Sequence, residues 1–237
     1  MADLTDAERR SYDLLARDVE RVFGPRLVSV VAYQPAAPDA MRHALVLVER
    51  LSFDDLVACV PLTDAWHRHG LAVPLLLADD EFRRTIDVFP LEYGGLMARH
   101  VLVRGRNPFD GLAIAPADVR RACELQAKSH VIHLREGFLE TRGDAAAVAD
   151  LIAASAQPFR SLLANIARLE NAAAENDGAL AAFAGDRLGV SSDVVRDVLA
   201  SGTVGHSAMA DPNALLARYV AAAGCVWEYV DRWKAGA

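Results

Sequence analysis

Lysine is nearly absent from this chain. Of its 25 basic residues only Lys128 and Lys234 are lysines, and the rest are arginines. Arginine suits bidentate contacts to phosphate or carboxylate, but it is also common in Ala-rich, Arg-rich proteomes, so the surplus alone names no ligand. Net basic charge is lacking too: the balance is −7, which argues against bulk nucleic-acid binding. Cysteine is scarce. Cys59, Cys123 and Cys225 lie far apart with no CxxC, and read as buried free thiols of a reducing cytoplasm. No apolar run reaches the roughly eighteen residues of a membrane span. The first residues, Met1-Ala2-Asp3-Leu4-Thr5-Asp6, are acidic where a secretory signal would be basic and then apolar. The expected location is therefore the cytoplasm.

What is present is an ordinary globular composition, 53% hydrophobic and 24% charged over 237 residues, a comfortable length for two domains. Thr5 and Glu8 form a capping box ahead of Tyr12, Leu15, Val19, Val22 and Phe23 at helical spacing, and Gly24-Pro25 stops that helix. Leu27 to Tyr33 reads as a strand, 34–39 as a turn with two prolines, and Ala44 to Val48 as a strand apolar on both faces. Ser52 and Asp55 start a helix reaching about His69, with a break expected at Pro61, and Gly70 closes it. Val73 to Leu77 is the next strand, and Asp79 to Arg84 a short helix or turn. In the stretch from Arg84 to Asn107, two β-favouring runs, Thr85 to Tyr93 and His100 to Gly105, flank a break at Gly94-Gly95.

Beyond Ile114 the texture turns helical. Pro116 opens a long helix to about Thr141 with two apolar faces: Val119, Cys123, Ala127, Val131, Leu134 and Phe138 on one, Leu125, Ile132 and Leu139 on the other. Such a helix is expected to be sandwiched, with Glu124 and Lys128 as an i,i+4 pair between the faces. Further helices are expected over 144–156, from Pro158, over 179–188 ending at Gly189, from Ser192, and from Asp211-Pro212 to the end. The expected class is α+β: an N-terminal mixed sheet with helices over 1–115, followed by an all-helical bundle over 116–237. His67 and His69 read as a solvated helix end. Arg196 is the only basic residue of the helix from Ser192, so a helix-turn-helix reading of 186–200 fails for DNA. Trp227, Tyr229 and Trp233 read as core, or as a homodimer surface if one ring row is exposed.

Three phrases stand in order: Asp87-Val88-Phe89-Pro90-Leu91-Glu92-Tyr93, then His100-Val101-Leu102-Val103-Arg104-Gly105-Arg106-Asn107-Pro108, then Leu134-Arg135-Glu136-Gly137-Phe138-Leu139-Glu140. With the element order, they resemble the nucleotidyltransferase superfamily, in particular bacterial aminoglycoside-type and uncharacterised members with a C-terminal helical domain. The resemblance implies a Gly-Ser turn cradling a triphosphate, a D-x-D strand binding Mg²⁺, and a third carboxylate, with a hydroxyl attacking the α-phosphate.

This sequence departs from that pattern. The Gly-Ser position falls at about Gln34-Pro35, and the D-x-D strand falls within Arg42-His43-Ala44-Leu45-Val46-Leu47, which carries no carboxylate. Asp39 and Glu49 flank it without an i,i+2 partner. Glu92 matches the third carboxylate. Losing both metal ligands costs on the order of a thousandfold or more in rate.

The favoured reading is a pseudoenzyme with no metal site and no cofactor, binding a small anionic ligand or nucleotide, or a partner. One alternative is an active enzyme using Mg²⁺ and a nucleotide, with Glu92 helped by Asp39 or Glu49, that transfers a nucleoside monophosphate to a small-molecule hydroxyl. Another is a structural interaction protein with a filled cleft. The residues expected to line an inter-domain cleft are Gln34, His43, Arg104, Gln126, His130, His133 and Arg135. A polar band packed against the first domain is the bland account of Gln126, His130 and His133. Without metal, Glu92 needs a cation (Arg42, Arg84, Arg104, Arg135 or His43) or exposure to water.

Overall fold

The computed structural model describes residues 4–34, 41–174, 176–204 and 209–235. The chain divides into two compact units, Met1–Ile114 and Ala115–Ala237.

The first unit is built on a four-stranded mixed sheet of order β3-β2-β1-β4. Its strands are β1 (Leu27–Tyr33), β2 (His43–Val48), β3 (Leu75–Ala78) and β4 (His100–Gly105). β1 runs antiparallel to β2 and to β4, whereas β2 and β3 are parallel. Side-chain alternation sorts the strand residues between two cores. Val30, Ala32, Ala44, Val46 and Val48 pack under Tyr12, Leu15, Val19 and Phe23 of helix α1 (Asp6–Phe23). Val31, Leu45 and Leu47 face the other way, onto Phe82, Tyr93, Leu96 and Phe109.

The connection from β2 to β3 is α2 (Phe53–Cys59), a 3-10 turn around Pro61, and α3 (Thr63–Arg68). The break expected at Pro61 is thus a local tightening. Trp66 of α3 is wholly buried in the α1-side core and donates its indole N–H to Asp18 Oδ2 at 3.0 Å. The expected capping box forms at Thr5/Glu8, and Ser52 and Asp55, expected to start a helix, form a second one. Asp55 also takes two hydrogen bonds from Arg26, at 2.7 and 3.0 Å, and the guanidinium holds its carboxyl well below the usual range.

The opposite face is covered by α4 (Asp79–Arg84), α5 (Pro90–Ala98) and the segment after β4. Here the strand expected over Thr85 to Tyr93 is corrected. Residues 85–88 form a turn, and Pro90 begins a helix that runs through Gly94-Gly95. Pro90 occupies the first turn, where its missing N–H costs nothing and its φ is already helical. Tyr93 and Leu96 then bury one face, and Tyr93 shares a hydrogen bond with Thr85 Oγ1 at 3.0 Å.

The second unit is helical: α6 (Pro116–Thr141), α7 (Ala145–Leu169), α8 (Asp177–Leu188), α9 (Ser192–Val204) and α10 (Pro212–Arg232). α6 packs on α7 and α10, and α7 on α9. Several expectations are corrected. The two helices expected around Pro158 are one helix, α7, with Pro158 inside it. Ala156, Phe159, Leu162 and Leu163 are all buried, and this packing carries the helix through the break. The second apolar row of α6 is not sandwiched within this unit: Leu125 and Leu139 are 71% and 74% exposed. Glu124 pairs with Arg120 at 2.9 Å, and Lys128 lies 3.5 Å from the Trp227 ring centroid, so the expected Glu124–Lys128 pair does not form. Cys59 and Cys123 are buried as expected, but Cys225 is exposed on α10. Among the described residues, no helix is long and apolar enough to cross a membrane.

Candidate functional site

Strand register brings three polar rings together at one end of the sheet. Tyr33, the last residue of β1, stands opposite His43 on β2 and opposite His100 on β4. Directly paired residues of antiparallel strands share a face, so the three lie in one row on the α5 side of the sheet. The Tyr33 and His43 rings are 5.7 Å apart, centroid to centroid. The His100 ring sits 4.5 Å from that of Phe109, and its Nδ1 is 2.9 Å from the Met97 carbonyl. A carbonyl only accepts, so neutral His100 carries its proton on Nδ1 and its lone pair on Nε2. Gln34, which follows Tyr33, is exposed. Gln34 and His43 are thus brought to the same sheet end. His100 is a neighbour that sequence spacing did not single out, because only the β1–β4 register reveals it.

This is the end at which the resemblance places the metal-binding carboxylates. Arg42 and His43 stand there instead. Asp39 lies outside the described residues. Glu49 follows the last residue of β2 and lies six residues from His43, about 20 Å along an extended strand. It lines a different depression, of about 570 Å³, with Leu27, Val28, Asp79, Asp80 and Arg106. Asp79 Oδ2 accepts there from Arg106 at 2.7 Å and from Arg83 at 3.2 Å, while the buried Oδ1 has no hydrogen-bond partner. Two guanidiniums already neutralise this carboxylate. Among the described residues no three His, Cys, Asp or Glu side chains gather to hold a metal ion. A Mg²⁺ ion, which wants carboxylate oxygens at about 2.0–2.1 Å, does not fit the donor sets described.

Glu92 lies in the first turn of α5 and is exposed, so water rather than a cation solvates it. Of the two expectations for Glu92, exposure to water is the one found: among the described residues of this unit, neither Arg42, Arg84, Arg104 nor His43 makes an ion pair with it. Arg104 is the clearest departure. It pairs with Glu20 of α1 at 3.1 Å and stands opposite Val30, whose side chain faces the α1 core. It therefore belongs to the other face of the sheet from His43.

The remaining expected residues are on α6. His130 is 8% exposed, shares a 2.6 Å hydrogen bond with Tyr219 Oη, and stacks on Phe159 at 5.5 Å. Burial, and secondarily His133, push its pKa down to about 4. It is a core residue of the helical unit, which corrects its assignment to a cleft. Gln126 Oε1 accepts from Asn165 Nδ2 at 3.0 Å, inside the same unit. His133 and Arg135 are exposed. The band expected along α6 is thus split: two members face α7 and α10, and two face solvent. Of the C-terminal aromatics, Tyr229 and Trp233 both donate to Glu170 Oε1.

No family model and no curated protein matches this chain. Solved structures do. One is the spectinomycin adenyltransferase AAD(9) of Enterococcus faecalis, crystallised with ATP and spectinomycin. It is 8% identical, covers 94% of this chain and 99% of its own, and superposes with a TM-score of 0.53. The likeness is one of fold: a mixed sheet with helices, then a helical region.

Proposed function

We propose that this chain, with its nucleotidyltransferase fold, is a ligand-binding pseudoenzyme that holds a nucleotide or other small anionic ligand without transferring it. The observation that carries the reading is the start of β2. Strand positions that need paired carboxylates are filled by Arg42-His43-Ala44-Leu45, and His43 is packed beside Tyr33. The His43 ring, set beside the Tyr33 ring, favours a base ring or an anion over a divalent cation. The exposed polar row of Gln34, with Tyr33, His43 and His100 behind it, offers donors and ring faces suited to such a ligand.

The solved neighbour holds ATP, which makes ATP the first nucleotide to test. Calorimetry of the full chain with ATP, with and without Mg²⁺, is expected to show binding that does not depend on the metal. His43→Ala is expected to weaken it about tenfold, the equivalent of one charge-assisted or ring contact. Mg²⁺-dependent transfer of a nucleoside monophosphate to any hydroxyl acceptor, abolished by Glu92→Gln without loss of stability, would overturn the reading. It would favour instead an enzyme using Glu92 with Asp39 or Glu49.

A further inference from the structure

The face of the sheet opposite His43 carries a concentration of charge that the proposed function does not use. A depression of about 760 Å³ is lined by Arg10, Ser11, Asp13, Arg17, Arg42 and Arg68, among others. Arg10, Asp13, Leu14 and Arg17 recur at helical spacing, which puts them on one side of α1. Arg68 ends α3. Arg42 is delivered by the bridge that precedes β2: its N–H donates to Gly70 O at 2.8 Å, and its carbonyl accepts from Ala72 N at 2.9 Å.

The floor of this groove is constructed rather than incidental. Arg42 Nη1 donates to His69 O at 3.2 Å, and Ser11 Oγ donates to the same carbonyl at 3.0 Å. Gly70 has φ +70°, and a Cβ there would stand 2.6 Å from Arg42 Nη1, so only glycine lets the guanidinium lie where it does. Arg42 Nε–H is buried and has no acceptor among the described residues, a state that costs free energy unless something fills it.

The charges around it are only partly compensated. None of Arg10, Arg17, Arg42 and Arg68 makes an ion pair with a described residue, whereas Arg21, Arg26, Arg83, Arg104 and Arg106 in the same unit all do. Four guanidiniums against the carboxylates of Asp13, on the lining, and of Glu8, which feels the charge of Arg42, leave +2 at the groove, in a chain whose net charge is −7. The nearby Glu8 is committed to the Thr5 backbone and hydroxyl, at 2.9 and 2.7 Å. Like charges gathered without partners raise the energy of the free protein and lower that of a complex with an anion.

We infer that this arginine groove, formed by α1, the residue before β2 and the end of α3, binds a small molecule carrying two or more adjacent phosphate groups. Fork-shaped guanidiniums match tetrahedral phosphate oxygens in pairs, and several of them around one depression match linked phosphates better than a single one. The inference does not depend on the reading of the His43 end, because strand alternation puts the two on opposite faces.

The test is calorimetric titration of the full chain with inorganic pyrophosphate at low ionic strength, with orthophosphate and citrate as comparisons. Wild type is expected to bind pyrophosphate at least tenfold more tightly than either. The double variant Arg17→Gln/Arg68→Gln, both exposed residues whose loss leaves the fold intact, is expected to weaken pyrophosphate tenfold or more. Arg196→Gln, an exposed arginine on α9, is expected to change nothing. Absence of pyrophosphate binding, equal affinity in the double variant, or an equal loss in Arg196→Gln would overturn the inference. Citrate binding as tightly as pyrophosphate would overturn the assignment to phosphates. Loss of ATP binding in His43→Ala with pyrophosphate binding intact would separate this groove from the site on the other face.

Discussion

His130 makes the stability of the helical unit depend on pH. Its folded pKa, about 4, lies below the ordinary value of 6.5. As pH falls below about 6.5 the unfolded chain takes up a proton that the folded chain refuses. The contribution is therefore complete above that value and is lost progressively on the way down to about pH 4. Between pH 7 and pH 5 the ring should cost about 2 kcal/mol of stability. Denaturant unfolding at the two values is expected to show this difference, and His130→Gln to reduce it by about that amount. An unchanged difference would mean the ring is not held neutral. Asp55 makes a second case. Asp55→Ala removes both a helix cap and the partner of Arg26, and should destabilise by about 2–3 kcal/mol in the same assay. The two residues also mark what is legible at this scale. Ser52 and Asp55 announce a helix start because the partners are three residues apart. Arg26 stands 29 residues from Asp55 and Tyr219 stands 89 from His130, separations at which spacing carries no signal.

At the scale of elements, the helix ends and most helices were readable because caps and 3.6-residue periodicity are local. Two misreadings have physical causes. The run from Thr85 to Tyr93 is rich in strand-favouring residues, but that preference reflects packing on a pleated surface more than the backbone itself. With Pro90 at a helix start and Phe82 and Phe109 waiting for Tyr93 and Leu96, the helix wins. Pro158 reads as a boundary because proline usually is one. Its ring is exposed while Ala156 and Phe159 on either side are buried, so it breaks one hydrogen bond without ending α7. Pro158→Ala should therefore stabilise the protein, by about 1–3 kcal/mol, since the donor returns and no packing is lost. A lower thermal midpoint in that variant would contradict this. Gly105 carries the opposite expectation. Its φ is +82°, and a Cβ would lie 2.2 Å from Val28 O, so Gly105→Ala should separate β4 from β1 and cost several kcal/mol. Near-wild-type stability would rule out the described β1–β4 register.

The whole molecule divides at Ile114/Ala115, with an α/β core on one side and a helical one on the other. Each unit buries its own apolar set, so each is expected to fold when expressed alone as 1–114 or 115–237, with cooperative thermal unfolding by circular dichroism. A fragment lacking a cooperative transition would show that its core is incomplete. The general architecture was legible from the switch in periodicity after Ile114. The candidate site was only half legible: Gln34 and His43 could be placed by order along the chain, whereas His100 and the arginine groove depend on which strand lies beside which.

That strand order also has a consequence for the chain as it is made. β1 is finished at Tyr33 and finds β2 almost at once, but its other edge waits for β4, which ends at Gly105. At ~5–20 residues per second, the ribosome leaves that edge unpaired for roughly 4–15 seconds. During this interval the nascent chain presents Leu27-Val28-Ser29-Val30-Val31, an apolar strand of the kind that pairs with other chains. Slowing translation between the two strands should lengthen the exposure and raise the fraction that aggregates. A polysome of this message is therefore a place where neighbouring nascent chains can meet edge to edge before either has closed its own sheet.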